Sequence, residues 1–131
     1  SMANSAPVIT LYDRPMWQSL DRQRMQLQKC GSCNTFRYPP GPVCADCLSL
    51  AYAWTDISGR GEIASWVVFH KQYFADHVPP YNAIAVRLDE GPILVSNLIG
   101  REPKESWIGK RVVIAYRQIE GRTQHAFKIA P

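Results

Sequence analysis

The chain reads as a mainly β protein with an N-terminal helix, a rubredoxin-like four-cysteine zinc ribbon and then a five-stranded OB-fold barrel. Three observations predict this. All four cysteines fall in one stretch, "KCGSCNTFRYPPGPVCADC" (residues 29–47), as two Cys-x-x-Cys pairs flanking a ten-residue spacer. From Gly61 onward the chain breaks into short apolar segments separated by turn signals. With 131 residues, 46% hydrophobic and 20% charged, it is long enough for one small domain carrying a metal-stapled appendage.

The elements follow in order. Asp13 with Pro15 is a helix start signal, and Met16, Trp17 and Leu20 share one helical face, which predicts a helix from about residue 14 to 22. Such a face has no core of its own in so short a segment, so Trp17 and Leu20 are candidates for a partner contact; docking back onto the same chain is the alternative. Met25 and Leu27 then alternate with polar residues in a strand that runs into the first cysteine pair. These divisions give a helical segment with its lead-in strand over 2–28, a ribbon over 29–50 and a barrel domain over 51–131.

Two thiolates separated by two residues can grip one ion from a tight turn, and two such turns complete a tetrahedral site, so Cys30, Cys33, Cys44 and Cys47 are the predicted metal ligands. Disulfides would suit a secreted chain, and a thioredoxin-like redox pair would open a helix, which Tyr38-Pro39-Pro40-Gly41-Pro42 forbids between the pairs. Zinc is favoured, with iron able to use the same ligands. Four protein ligands leave no open coordination position, which points to a structural ion. Asn34 after the first pair tolerates the left-handed conformation that such a turn needs; Leu48 after the second tolerates it poorly, which predicts a different second turn.

Strands are expected at about 61–70, 82–89, 92–99, 111–118 and 124–129, with Ile84, Val86 and Leu88 on one face and Ala83, Ala85 and Arg87 on the other. Asp89-Glu90-Gly91 and Gly121-Arg122 are turn signals. The stretch "EPKESWIGKR" is expected to form a short helix or turn between the third and fourth barrel strands, which matches an OB-fold; a small SH3-like barrel is the alternative. Residues 71–81, "KQYFADHVPPY", form the longest irregular stretch and combine two prolines with three aromatics, as a binding loop or an apolar flap would.

No apolar run approaches the length needed to span a bilayer, and the N-terminal residues lack the segments of a signal peptide, so the expected location is cytoplasmic, with no membrane partner. The formal charge of +4 is dispersed over the chain and forms no block. His70, His77 and His125 show no metal-ligand spacing, and no Gly-rich phosphate loop, paired carboxylates or nucleophile with its base stands out, so no catalytic residue is assigned.

The order of these features resembles the DUF35 family of zinc-ribbon, OB-fold, acyl-CoA-associated proteins. The resemblance runs from about Arg14 to Ile129. It rests on "LQKCGSC", "YPPGPVCADC", "WTDISGRGEIASW", "PPYNAIAVRLDEGPILVSNLIG" and "IGKRVVIAY" followed by Phe127. Gly41 and Pro42 stand where family members often carry an arginine. The resemblance implies a non-catalytic accessory subunit, partnered with a thiolase-like enzyme or a hotdog-fold enoyl-CoA hydratase, that binds acyl-CoA or bridges the catalytic chains. For such a ligand Trp66, Phe69, Tyr73, Phe74 and Tyr81 would supply aromatic surface, and Arg60, Lys71 and Arg87 would supply charge. The alternative is an OB-fold binder of single-stranded nucleic acid, against which Arg87 and Arg117 stand isolated among small apolar neighbours.

Overall fold

A computed structural model describes residues 9–75 and 78–131. Asp76, His77 and the start of the N-terminal segment lie outside the described residues. Among the described residues there is one helix, α1 (Arg14–Asp21), followed by eight strands: β1 (Gln26–Cys30), β2 (Phe36–Arg37), β3 (Tyr52–Asp56), β4 (Arg60–Phe69), β5 (Tyr81–Leu88), β6 (Ile93–Ser96), β7 (Arg111–Ile119) and β8 (Arg122–Ile129). They form two antiparallel sheets, one of order β2-β1-β3 and one of order β6-β5-β4-β7-β8.

The five-stranded sheet curls on itself until its edges meet. Leu98, just after β6, bridges in parallel to Phe127 of β8, and the Asn97 and Phe127 carbonyls accept the Phe127 and Ile99 N–H groups at 2.9 Å. This is the closure of an OB-like half-barrel. Two local features, one just before β4 and one within it, make the curl possible. Gly59, at φ +77°, lets its carbonyl receive the Ile114 N–H at 2.7 Å, and a Cβ there would lie 2.4 Å from the Ile114 side chain. A bulge between Ile63 and Ser65 reverses the inward phase of the strand: Ile63 pairs with inward Val86, whereas Trp66 pairs with inward Ile84.

Between the third and fourth barrel strands the chain takes the turn alternative of the expected helix or turn: residues 101–110 run as bends and turns. Trp107 anchors this segment in the core. Its indole is buried against Trp66 at 5.8 Å and donates its Nε1–H to the Pro103 carbonyl at 3.0 Å. The turn is stitched to β4 on both sides: the Gly109 N–H donates to the Ile63 carbonyl at 2.8 Å, and the Ile63 N–H donates to the Lys110 carbonyl at 3.0 Å.

Helix α1 docks on its own chain. Met16 and Leu20 enter a single hydrophobic core together with Met25, Leu27, Ile63, Val86, Leu94 and Phe127, and α1 contacts β1 and β8. Leu20 is 0% exposed, which removes it as a partner contact; Trp17 packs half-buried against the same core. Burial of an apolar helix face of this kind is worth on the order of 2 kcal/mol per large side chain. The ribbon is fastened to the barrel by the same core and by Tyr116 of β7, whose hydroxyl accepts the buried Met25 N–H at 2.8 Å. Strand β3 pairs antiparallel with β1, so Tyr52–Asp56 adds the third strand of the small sheet.

Candidate metal centre and ligand groove

Strand β1 delivers Cys30 to the first turn, and both turns are built alike. In the first, Asn34 N–H donates to the Cys30 carbonyl at 3.1 Å and Cys30 N–H to the Thr35 carbonyl at 2.9 Å. In the second, Leu48 N–H donates to the Cys44 carbonyl at 2.9 Å and Cys44 N–H to the Ser49 carbonyl at 3.0 Å. Asn34 and Leu48 have φ of 64° and 63°. The expectation of a different second turn is therefore overturned: Leu48 adopts the left-handed conformation despite its Cβ, and its side chain is left exposed. The two turns are tied by Ser32 Oγ to Ser49 Oγ at 2.8 Å and by Gly31 N–H to the Ala51 carbonyl at 2.8 Å.

This folding brings the four Sγ atoms within 4.8 Å of one another, with Cys30–Cys47 at 3.5 Å and Cys33–Cys44 at 3.6 Å. A tetrahedral ion with metal–sulfur bonds of about 2.3 Å requires sulfur–sulfur edges of about 3.8 Å, so the arrangement fits one four-coordinate ion. The Cys33 and Ser32 N–H groups aim at Cys30 Sγ and hold its thiol down to about 6, which favours the thiolate that a metal needs. The Thr35 hydroxyl and backbone N–H lower Cys33 in the same way. Cys30 and Cys44 are buried, whereas Cys33 and Cys47 face outward. The four cysteines form a metal-binding site.

At the opposite end of the molecule, the β4–β5 connection leaves an apolar groove of ≈410 Å³. Phe69 and Tyr81, paired across β4 and β5, stack at 4.8 Å; Tyr73 meets Phe69 edge-on at 5.8 Å, and Lys71 Nζ lies 5.7 Å above the Tyr73 ring. Phe74 completes the wall, and Tyr73 and Phe74 are 54% and 40% exposed. Of the residues singled out for ligand binding, the structure thus gathers Phe69, Lys71, Tyr73, Phe74 and Tyr81.

The others lie elsewhere. Trp66 is turned inward by the bulge and stacks on Trp107. Arg60 begins the strand that Phe69 ends, roughly 30 Å away at about 3.3 Å per residue. Arg87 sits at that same far end, opposite Glu62. The sequence reading missed Asn82, Asn97, Trp107 and Arg117. Asn82 carried a signal: it shares the inward phase of Ile84, Val86 and Leu88, and a polar residue in an apolar phase has a partner to find. It finds Leu98, whose N–H donates to Asn82 Oδ1 at 2.7 Å and whose carbonyl accepts Asn82 Nδ2–H at 2.9 Å.

The outer face of the barrel is also apolar. Ala83 and Ala85 of β5 lie between Val67 of β4 and Val95 of β6, with Val67 45%, Val95 65% and Ile93 46% exposed. No helix among the described residues is long and apolar enough to cross a membrane.

Comparison with known proteins agrees with this architecture. Residues 17–53 match the rubredoxin-like zinc ribbon domain of ChsH2, and residues 54–117 match its C-terminal OB-fold domain. A solved structure described as an Ltp2-ChsH2(DUF35) aldolase superposes with a TM-score of 0.87 at 31% identity, covering 96% of this chain and 100% of that one. A DUF35 structure from Sulfolobus solfataricus shares the fold, with a TM-score of 0.65 at 13% identity, covering 92% of this chain and 86% of that one. A probable enoyl-CoA hydratase alpha subunit from Thermomonospora curvata is 33% identical over 82% of this chain, which spans about a third (34%) of that subunit's length. A DUF35 domain-containing scaffold protein from Pyrococcus furiosus is 27% identical over 72% of this chain and 74% of its own. With its ribbon, its half-barrel and both domain models matched in order, the chain belongs to the DUF35 family of zinc-ribbon and OB-fold proteins.

Proposed function

We propose that this chain is an accessory subunit that scaffolds acyl-CoA-processing enzymes of the thiolase-like or enoyl-CoA hydratase-like kind and helps to hold their CoA thioester. The observation that carries this reading is the near end-to-end match, in both sequence and fold, to the DUF35 chain of an aldolase assembly. The named hydratase alpha subunit among its relatives supports the same chemistry.

In this reading zinc occupies the four-thiolate site. With every coordination position filled by the protein, the ion fixes the ribbon and leaves no place for water or substrate. It works in the reducing cytoplasm, where paired thiols bind metal rather than oxidise. The apolar band of Val67, Ala83, Ala85, Val95 and Ile93 is the enzyme-facing surface, because an exposed sheet face of this composition is stable in water only at a cost that a partner removes. The aromatic groove at its edge receives the apolar part of the thioester.

Affinity capture of the tagged chain from its source lysate, with and without nuclease, tests this. Recovery of a thiolase-like, aldolase-like or hydratase-like protein in both arms, and its loss with Val95→Asp, is the expected result. Recovery only of nucleic acid-dependent partners would replace the reading with single-stranded nucleic-acid binding, and no enzyme in either arm would refute it.

A further inference from the structure

Beside the aromatic groove lies a smaller polar pocket of ≈200 Å³, lined by Asn82, Asn97, Glu102 and Arg117. The two share Tyr81, Asn82 and Asn97, so they adjoin. Arg117 is half-buried on β7 and has no carboxylate within 4 Å among the described residues. Its hydrogen bond runs from Nη2 to Asn97 Oδ1 at 2.7 Å, and its Nε–H is buried without an acceptor. Asn97 is held in that orientation because its Nδ2–H donates to the Asn82 carbonyl. Glu102, on the rim, is exposed and faces Asn82 Nδ2 at 3.3 Å.

A guanidinium partly withdrawn from water without a counter-ion, its Nε–H unpaired, is costly, and the amide of Asn97 fixes its position. Such an arrangement is what a bound anion would neutralise through charge-assisted hydrogen bonds. We infer that Arg117, positioned by Asn97, is the anchor for a compact anionic group, a carboxylate or phosphate, on a ligand whose apolar part lies in the adjoining groove of Phe69, Tyr73, Phe74 and Tyr81. The inference rests on reading that groove as a ligand face. It assigns the chain a site for amphiphilic acids in which charge and apolar body are neighbours. A pocket of ≈200 Å³ takes one carboxylate or phosphate with its waters, and not a whole nucleotide.

The test uses three probes with one tail: octanoate, octyl phosphate and octanol, below their aggregation thresholds. Each is titrated into the full chain by calorimetry and by amide nuclear magnetic resonance. Octanoate or octyl phosphate should bind and shift the Asn97 side-chain amide, and the tighter of the two identifies the anion. Arg117→Gln should weaken that binding about tenfold to a hundredfold, as expected for a charge-assisted contact, and leave octanol unchanged. Arg87→Gln, at the far end of the sheet, should change neither. Equal binding of octanol and octanoate to the native chain, unchanged anion affinity in Arg117→Gln, or no binding of either anion would each overturn the inference. None of the probes contains CoA or requires a partner enzyme, so these results stand apart from the outcome of the capture experiment. Arg117→Gln should remain folded, because it removes a half-buried charge that has no counter-ion.

Discussion

His125 should make this protein lose stability in acid through one identifiable proton. The imidazole lies on β8, opposite Tyr116, with Nδ1 2.7 Å from the Oγ of buried Ser96. Burial, reinforced by the nearby charge of Arg117, pushes its pKa from 6.5 down to about 4. An unfolded chain restores the ordinary value and binds a proton first, so the stabilisation is complete above pH 6.5 and is lost as the pH falls towards 4. At 1.36 kcal/mol per tenfold change in proton affinity, the interval amounts to about 3 kcal/mol. The assay is urea unfolding at several pH values between 7 and 4 for the native chain and for His125→Asn, which retains a polar atom near the Nδ1 position. Acid release of the metal affects both proteins, so their difference isolates the imidazole. The native chain should lose about 3 kcal/mol relative to the variant across that range. Parallel curves would refute the claim that a neutral imidazole is held out of water here.

Other substitutions probe the remaining supports. Cys44→Ser should abolish stoichiometric metal, measured by atomic emission, and lower the melting temperature, because ion binding and ribbon folding are one equilibrium; retained metal would show that three thiolates suffice. Tyr116→Phe leaves the Met25 N–H buried without an acceptor and should cost about 1–3 kcal/mol in denaturant unfolding, with little effect on metal content. Trp107→Ala should cost about 3–5 kcal/mol, since the buried indole stacks on Trp66 and its removal leaves a cavity in the barrel core. Asp89→Asn should leave the urea midpoint essentially unchanged, because the pair that Asp89 forms with Arg111 is well exposed on both sides.

Much of the molecule was legible in the sequence because its signals are local. The cysteine spacing marks the metal turns, and the two-residue period of β5 sorts Ile84, Val86 and Leu88 inward without reference to any other strand. Asp13 and Pro15 likewise mark the start of α1. Where local preference met a tertiary demand, preference lost. Leu48 takes a left-handed φ because the second turn must repeat the first to bring Cys47 to the other three thiols.

The candidate sites divide along the same line. The four metal ligands, the mainly β order and the family resemblance were determined by the sequence alone, because each rests on residues close together in the chain or on the order of motifs along it. Which aromatics form a groove, that Trp66 leaves them for the core, that Leu20 is spent on the chain's own packing and that Arg117 meets Asn97 were decided only by the tertiary structure. Those pairings depend on a one-residue bulge in β4 and on the curl that brings β6 to β8, and neither is written in the composition of any single strand.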